Sequence, residues 1–151
     1  MTTEGVRPGA EADEEAIEAV VRAFFAAFTS GPEAPTRLDA LRPLFLAQAV
    51  IVRTCGTEPA AYDVEGFIAP RAALLTSGTL VDFAEWRLSG RTEVFGDVAH
   101  WFGSYAKSGV QDEVPFTGRG MKSIQLVRTS AGWRISAAAW DDERDGLSLQ
   151  R

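Results

Sequence analysis

The chain has 151 residues, enough for one domain with one buried core. Its formal net charge of −6 and isoelectric point near 4.8 exclude a nucleic-acid partner, because phosphate binding needs clustered Lys and Arg and the sequence has no basic stripe. Its one cysteine, Cys55, excludes an intrachain disulfide and suits a reducing cytoplasm.

Residues 1–11, rich in Thr, Gly, Pro and Glu, read as a disordered leader. They hold no apolar h-region, and no apolar run approaches the ~20 residues of a membrane span. The expected address is therefore cytoplasmic, with no membrane contact. Next, Ile17, Val20, Val21, Phe24 and Phe28 fall on one face of an α-helix, with Asp13, Glu14 and Glu15 at its dipole-favoured start. Ser30-Gly31-Pro32 stops it. A second helix follows, with Thr36 and Asp39 placed as a capping box and Leu38, Leu41 and Leu44 or Phe45 on its buried side. Pro43 ends or kinks that helix. Ala49 to Arg53 is a short strand. Tyr62 to Ser77 is a third helix, which Asp63 can cap and which Gly66 and Pro70 weaken.

From Thr79 onward the pattern is strands: Leu80 to Leu88, a bend or bulge at Ser89-Gly90, and Arg91 to Phe95. Val98 to Lys107 comes after the Gly96-Asp97 turn. Gly109 to Pro115 reads as a loop. Gly118 to Thr129 and Trp133 to Trp140 are the last strands, and residues 144–151 a loose tail. Helices first and strands after is the α+β pattern. The expected architecture is a single domain over residues 12–143, with five or six antiparallel strands curved against three N-terminal helices.

Four segments resemble the nuclear transport factor 2-like (SnoaL-like) superfamily. They are the opening amphipathic helix, Leu41-Arg42-Pro43-Leu44-Phe45 running into Ala49-Val50-Ile51-Val52-Arg53, Val94-Phe95-Gly96-Asp97-Val98-Ala99, and Val127-Arg128 followed by Gly132-Trp133-Arg134-Ile135. The resemblance covers roughly residues 12–143 and rests on the order of the segments. It implies a cone-shaped sheet closed by three helices, an apolar pocket at the wide end and dimerisation through the outer sheet face. The superfamily includes isomerases, cyclases, dehydratases, hydrolases and non-catalytic modules, so fold does not give function.

Strand alternation sorts side chains into faces, and analogy with the superfamily places one set on the concave side. That set is Ala99, Trp101, Gly103 and Tyr105, then Lys122, Ile124 and Leu126, then Ile135, Ala137 and Ala139. The small residues among them leave either close packing or a void. The pocket residues expected on this basis are Arg53, Trp86, Trp101, Tyr105, Lys122, Ile124, Leu126 and Ile135. The candidate proton-transfer groups are Asp82, Tyr105 and Lys122, with Arg53 as a further cation. Asp82 beside Trp86 is either a carboxylate with a raised pKa or a rim carboxylate. His100, with Phe102, Ser104, Met121, Val127 and Trp140, falls on the outer face, where a histidine in a dimer interface is the alternative to a general base. Cys55 reads as a small hydrophobe. One His and one Cys are too few for a zinc site, and no nucleotide-binding or nucleophile-elbow motif occurs. No metal and no cofactor is expected. Two functions remain open: a module binding a small hydrophobic ligand or only dimerising, and a cofactor-independent enzyme moving protons on such a molecule. A buried ionisable pair facing the void would separate them.

Overall fold

Three helices and six strands make up residues 9–149, the part of the chain that the computed structural model describes. Helix α1 (Ala10–Ala26) buries Ile17, Val21 and Phe24 of the stripe that its sequence spacing predicts, and Phe25 in addition, while Val20 is half-buried. It starts at Ala10, inside the expected leader, of which residues 1–8 lie outside the described residues. Helix α2 (Ala34–Asp39) is short, with Pro35 in its first turn, and the Thr36 capping box does not form. One turn of 3-10 helix (Arg42–Leu44) carries the chain straight into strand β1 (Phe45–Arg53), which starts four residues before the expected strand. Strand β2 (Ala60–Tyr62) has no counterpart in the sequence reading. Helix α3 (Val64–Thr76) is capped as expected: the Asp63 carboxylate accepts from the Gly66 N–H at 2.7 Å.

Strands β3 (Leu80–Phe95), β4 (Val98–Gln111), β5 (Val114–Thr129) and β6 (Gly132–Asp142) form a meander. The loop expected over Gly109–Pro115 is a two-residue turn, because Asp112 and Glu113 both take positive φ (50° and 68°) and let the ladder run on to Gln111 and Val114. The sheet order is β2-β1-β6-β5-β4-β3. All pairs are antiparallel except β1 with β6, which is parallel. The expected loose tail bridges back on itself at Arg144 and Leu147, and its residues 150–151 lie outside the described residues.

Bulges set which side chains point inward. On β3 the pairing with β4 shifts between Val81 and Ala84, with Asp82 at φ 53°, and again between Arg87 and Ser89, beside the expected Ser89-Gly90 site. On β6, Gln125 pairs with Ala137 while its neighbour Leu126 pairs with Ile135, so Ser136 is an extra residue. That one insertion inverts the alternation. Ala138, Trp140 and Asp142 face inward, and Ala137 and Ala139 face outward, which corrects both alanines and the placement of Trp140 on the outer face.

Under α1 the inner face is packed solid. Trp101, Ile124, Leu126 and Ile135 have at most 1% exposure, and Phe25 packs edge-on against Trp101 at 5.8 Å between ring centres. Gly103 does face inward, but it leaves no void. Gly90 and Gly103 pair across β3 and β4, and the Trp101 indole lies against both so closely that a Cβ on either would collide with it.

Candidate functional site

The inner face is unfilled at its other end, beneath α3. A cavity of about 280 Å³ opens there. Its roof is one side of α3: Phe67, Arg71, Leu74 and Leu75 stand at i, i+4, i+7 and i+8, which on a 3.6-residue repeat is a single stripe. Its floor is the inward alternation of the strands, with Arg53 from β1, Trp140 from β6, Lys122 and Phe116 from β5, Lys107 from β4, and Phe83 and Glu85 from β3. Gly109 sits between Phe83 and Phe116, whose rings stack at 6.2 Å across it. A side chain at Gly109 would wedge into that stack.

The charges are arranged around this cavity. Lys122, 3% exposed, lies within 5.7 Å of the ring centres of Phe24, Phe25, Phe28, Tyr105 and Trp140. Its ammonium bonds Glu85 at 3.3 Å. Burial holds its pKa below the ordinary lysine value, and Glu85 opposes that shift. Lys107 bonds Asp142 at 2.9 Å, and the Tyr105 hydroxyl donates to the other oxygen of the same carboxylate. Burial works to raise the Asp142 pKa, but the hydrogen bonds from Tyr105 and Lys107 win and keep it below the usual carboxylate range. Burial and the adjacent Asp142 push the Tyr105 phenol well above its ordinary value, so it stays a neutral donor.

Two arginines complete the wall. The Arg71 guanidinium carbon lies over the Phe67 ring at 4.0 Å from its centre, with Tyr62 and Trp140 at 5.8 and 5.7 Å. Arg71 donates one hydrogen bond, to the Phe67 carbonyl at 3.0 Å. Burial lowers its pKa, and Arg53 adds repulsion to that shift. Neither Arg53 nor Arg71 has a carboxylate within 4.0 Å among the described residues.

Of the residues read from the sequence as pocket or proton-transfer candidates, Arg53 and Lys122 line this cavity. Trp101, Ile124, Leu126 and Ile135 face inward but belong to the packed region under α1. Tyr105 lies behind the wall and meets it through Asp142, which takes its hydrogen bond, and through Lys122, whose ammonium is 4.9 Å from its ring centre. Trp86 pairs with Ala106 and so faces outward, 44% exposed, because the Val81/Ala84 bulge resets the β3 alternation. The same bulge puts Asp82 at the surface near Thr29 and Gly31, away from Glu85 and the cavity. His100 is on the outer face, bonded to Ser123 at 2.8 Å and stacked on Phe102. Burial and Asp142 raise the Cys55 thiol above its usual pKa, which is the wrong direction for a nucleophile.

The sequence reading missed Arg71, Lys107, Glu85 and Asp142 as site groups. A signal for Arg71 exists: it is the one charge between Phe67 and Ser77, a stretch otherwise apolar or neutral. Lys107 continues the Trp101-Gly103-Tyr105 alternation by one more step. The cavity presents guanidinium and ammonium donors, one carboxylate acceptor, the Gln111 amide and aromatic rings. Among the described residues no group of three His, Cys, Asp or Glu side chains converges that could hold a metal ion, and no helix is long and apolar enough to cross a membrane.

No protein-family model matches the sequence, and no curated protein matches it. Many solved structures match the fold. A protein from Novosphingobium aromaticivorans with a proposed aromatic-ring hydroxylase activity superposes with a TM-score of 0.71 at 19% identity, over 87% of this chain and 89% of that one. A protein from Kribbella flavida gives 0.74 at 15% identity, over 89% and 93% of the two chains. A second Novosphingobium protein, nuclear transport factor 2-like with a cystatin-like fold, gives 0.67 at 19% identity, over 91% and 86%. With its three helices on one face of an open six-stranded sheet, the chain has the nuclear transport factor 2-like, cystatin-like fold.

Proposed function

We propose that this domain binds a small, mostly apolar molecule in the cavity beneath α3. The observation that carries the reading is the contrast within one inner face, packed solid under α1 and left open under α3 by walls of Phe28, Phe67, Phe83, Phe116 and Trp140. Interiors normally fill to crystal density, and a void of this size lined by rings and a few polar groups is the ordinary form of a ligand site. At about 280 Å³ it is at the lower end for such sites, so the ligand is small. The proposed aromatic chemistry of the first Novosphingobium protein is compatible with an aromatic-lined cavity.

A thermal-shift screen of small aromatic and branched aliphatic compounds tests it. A ligand at 100 times its Kd stabilises by about 2.7 kcal/mol, which for this chain length raises Tm by roughly 5–10 °C. Leu74→Trp, on the partly exposed side of the roof, should remove the shift while the protein still folds, and Gln125→Leu on the outer face should keep it. Equal loss in both would place binding elsewhere.

One observation favours a second reading, a cofactor-independent enzyme that moves protons. Two ion pairs, Lys122–Glu85 and Lys107–Asp142, stand at the cavity wall, the feature the sequence alone could not supply. Glu85 is then the group that takes a proton from a bound molecule. Glu85→Gln should retain a ligand and abolish deuterium exchange next to its carbonyl. Exchange at the wild-type rate in that variant would remove this reading.

A further inference from the structure

We infer that the cavity selects an organic anion, a carboxylate on an aromatic or branched apolar body. The inference rests on the binding reading above and narrows it to a ligand class. Four cations, Arg53, Arg71, Lys107 and Lys122, line the cavity, and Glu85 is the one acidic side chain among its lining residues. Asp142 adds a second carboxylate behind Lys107. Two positive charges therefore remain unbalanced at the wall of a chain whose formal net charge is −6.

The surplus is localised. Glu85 is bonded to Lys122 and Asp142 to Lys107, so the lysines are answered. The two guanidiniums have no ion pair among the described residues, and Arg71 feels Glu85 only through space. Arg71 lies over Phe67 and spends one N–H on a backbone carbonyl, which leaves the rest of its donor fork without a partner among the described residues. Arg53 makes no side-chain hydrogen bond among the described residues, and it repels Arg71 across the same space.

Two half-buried like charges held together in an apolar wall cost stability unless something neutralises them. A carboxylate fits the need because its two oxygens match the guanidinium fork. The rings of Phe67, Phe83, Phe116 and Trp140 then cover the ligand's apolar body.

The experiment uses matched pairs at pH 7: phenylacetate, cinnamate and 2-naphthoate, each against its primary amide, with affinity read by calorimetry and by Trp fluorescence on the full chain. The carboxylates should bind about tenfold or more tighter than their amides. That margin is the usual worth of a charge-assisted hydrogen bond. Arg71→Met and Arg53→Met should each cut carboxylate affinity about tenfold and leave amide affinity within about threefold. Thermal melts establish folding for each variant, and if one fails to fold the other carries the test. Carboxylates no tighter than amides would overturn the anion selection and leave the binding reading standing. No binding by either member of any pair would overturn both. Unchanged selectivity in both arginine variants would also overturn the inference.

Discussion

Removing Lys122 alone should be far more damaging than removing it together with Glu85. The pair sits at 3.3 Å with side chains 4% and 11% exposed. At an effective dielectric near 20, two unit charges at that distance attract by about 5 kcal/mol, and desolvation costs several kcal/mol per ion, so the intact pair is close to neutral for stability. Lys122→Met breaks that balance by leaving the Glu85 carboxylate in the wall without its bonded partner. Arg71 and the facing Lys107 still reach it electrostatically, which keeps the loss near the low end of the usual range, about 3 kcal/mol. Methionine keeps the volume and some contact with the five surrounding rings, so little of that loss is packing. For a chain of this size it lowers Tm by roughly 6–12 °C. The double variant Lys122→Met, Glu85→Leu should return to within about 1 kcal/mol of wild type or exceed it. Urea unfolding of all four proteins in the cycle at pH 7 measures the coupling. Equal losses in the single and double variants would refute the reasoning, because they would make the lysine's contacts with the rings, and not its charge, the stabilising term.

Three further outcomes follow from other parts of the molecule. Gly103→Ala should destabilise by about 1–3 kcal/mol or more in urea, since its Cβ would meet the Ser89 carbonyl and the Trp101 ring, and a rigid β-strand cannot yield there. Asp142 has a folded pKa held below its ordinary value of 3.8, so it contributes stability above that pH and loses it as pH falls toward the lower folded value. Asp142→Asn should therefore lower Tm at pH 7, and the deficit should shrink as the comparison moves below about pH 4. On the outer face Phe95, Val98 and Phe102 are 80%, 55% and 50% exposed beside His100, an apolar patch that we read as the contact between two copies of the chain. Sedimentation equilibrium should give a dimer, and Phe102→Glu a monomer.

What the sequence makes legible here is periodicity, and what it hides is where periodicity breaks. The α1 stripe and the inward series Ala99, Trp101, Gly103 and Tyr105 survive into the structure because nothing interrupts their spacing. The faces expected for Trp86, Ala137 and Trp140 extend an alternation through a bulge, and a single extra residue reverses every assignment beyond it, whereas Asp82, within its bulge, takes the rim position that is one of its two readings. No composition signal marks Ser136 as that extra residue. The two-residue Asp112–Glu113 turn escaped for a related reason: non-glycine residues at positive φ read as loop. Of the cavity, the resemblance supplies the expectation of an apolar pocket and alternation supplies Lys122, but its place beneath α3 depends on where that helix lies over the sheet, which is long-range packing. Its arginines lie far apart in sequence, one on a strand and one on a helix, and only the fold brings them into one wall.

The Ser136 bulge does more than mislead a pattern reading. Had β6 kept strict alternation beyond Ile135, Ala137, Ala139 and Asp141 would face inward in place of Ala138, Trp140 and Asp142. Lys122 would lose the Trp140 ring, Arg71 would lose one of its three aromatic neighbours, and Lys107 and Tyr105 would lose the carboxylate they share. The region under α1 would be little affected, because Trp133 and Ile135 precede the bulge. One inserted residue thus separates the strand into a part that serves the packed core and a part that builds the cavity. Deleting Ser136 takes out that extra residue and leaves Ile135 opposite Leu126 and Ala137 opposite Gln125, so Ala138, Trp140 and Asp142 still face inward. The deletion variant should therefore keep its far-UV circular dichroism and its affinity for any cavity ligand. A deletion variant that folded and lost that affinity would mean that the bend of the bulge, and not the register alone, shapes the cavity.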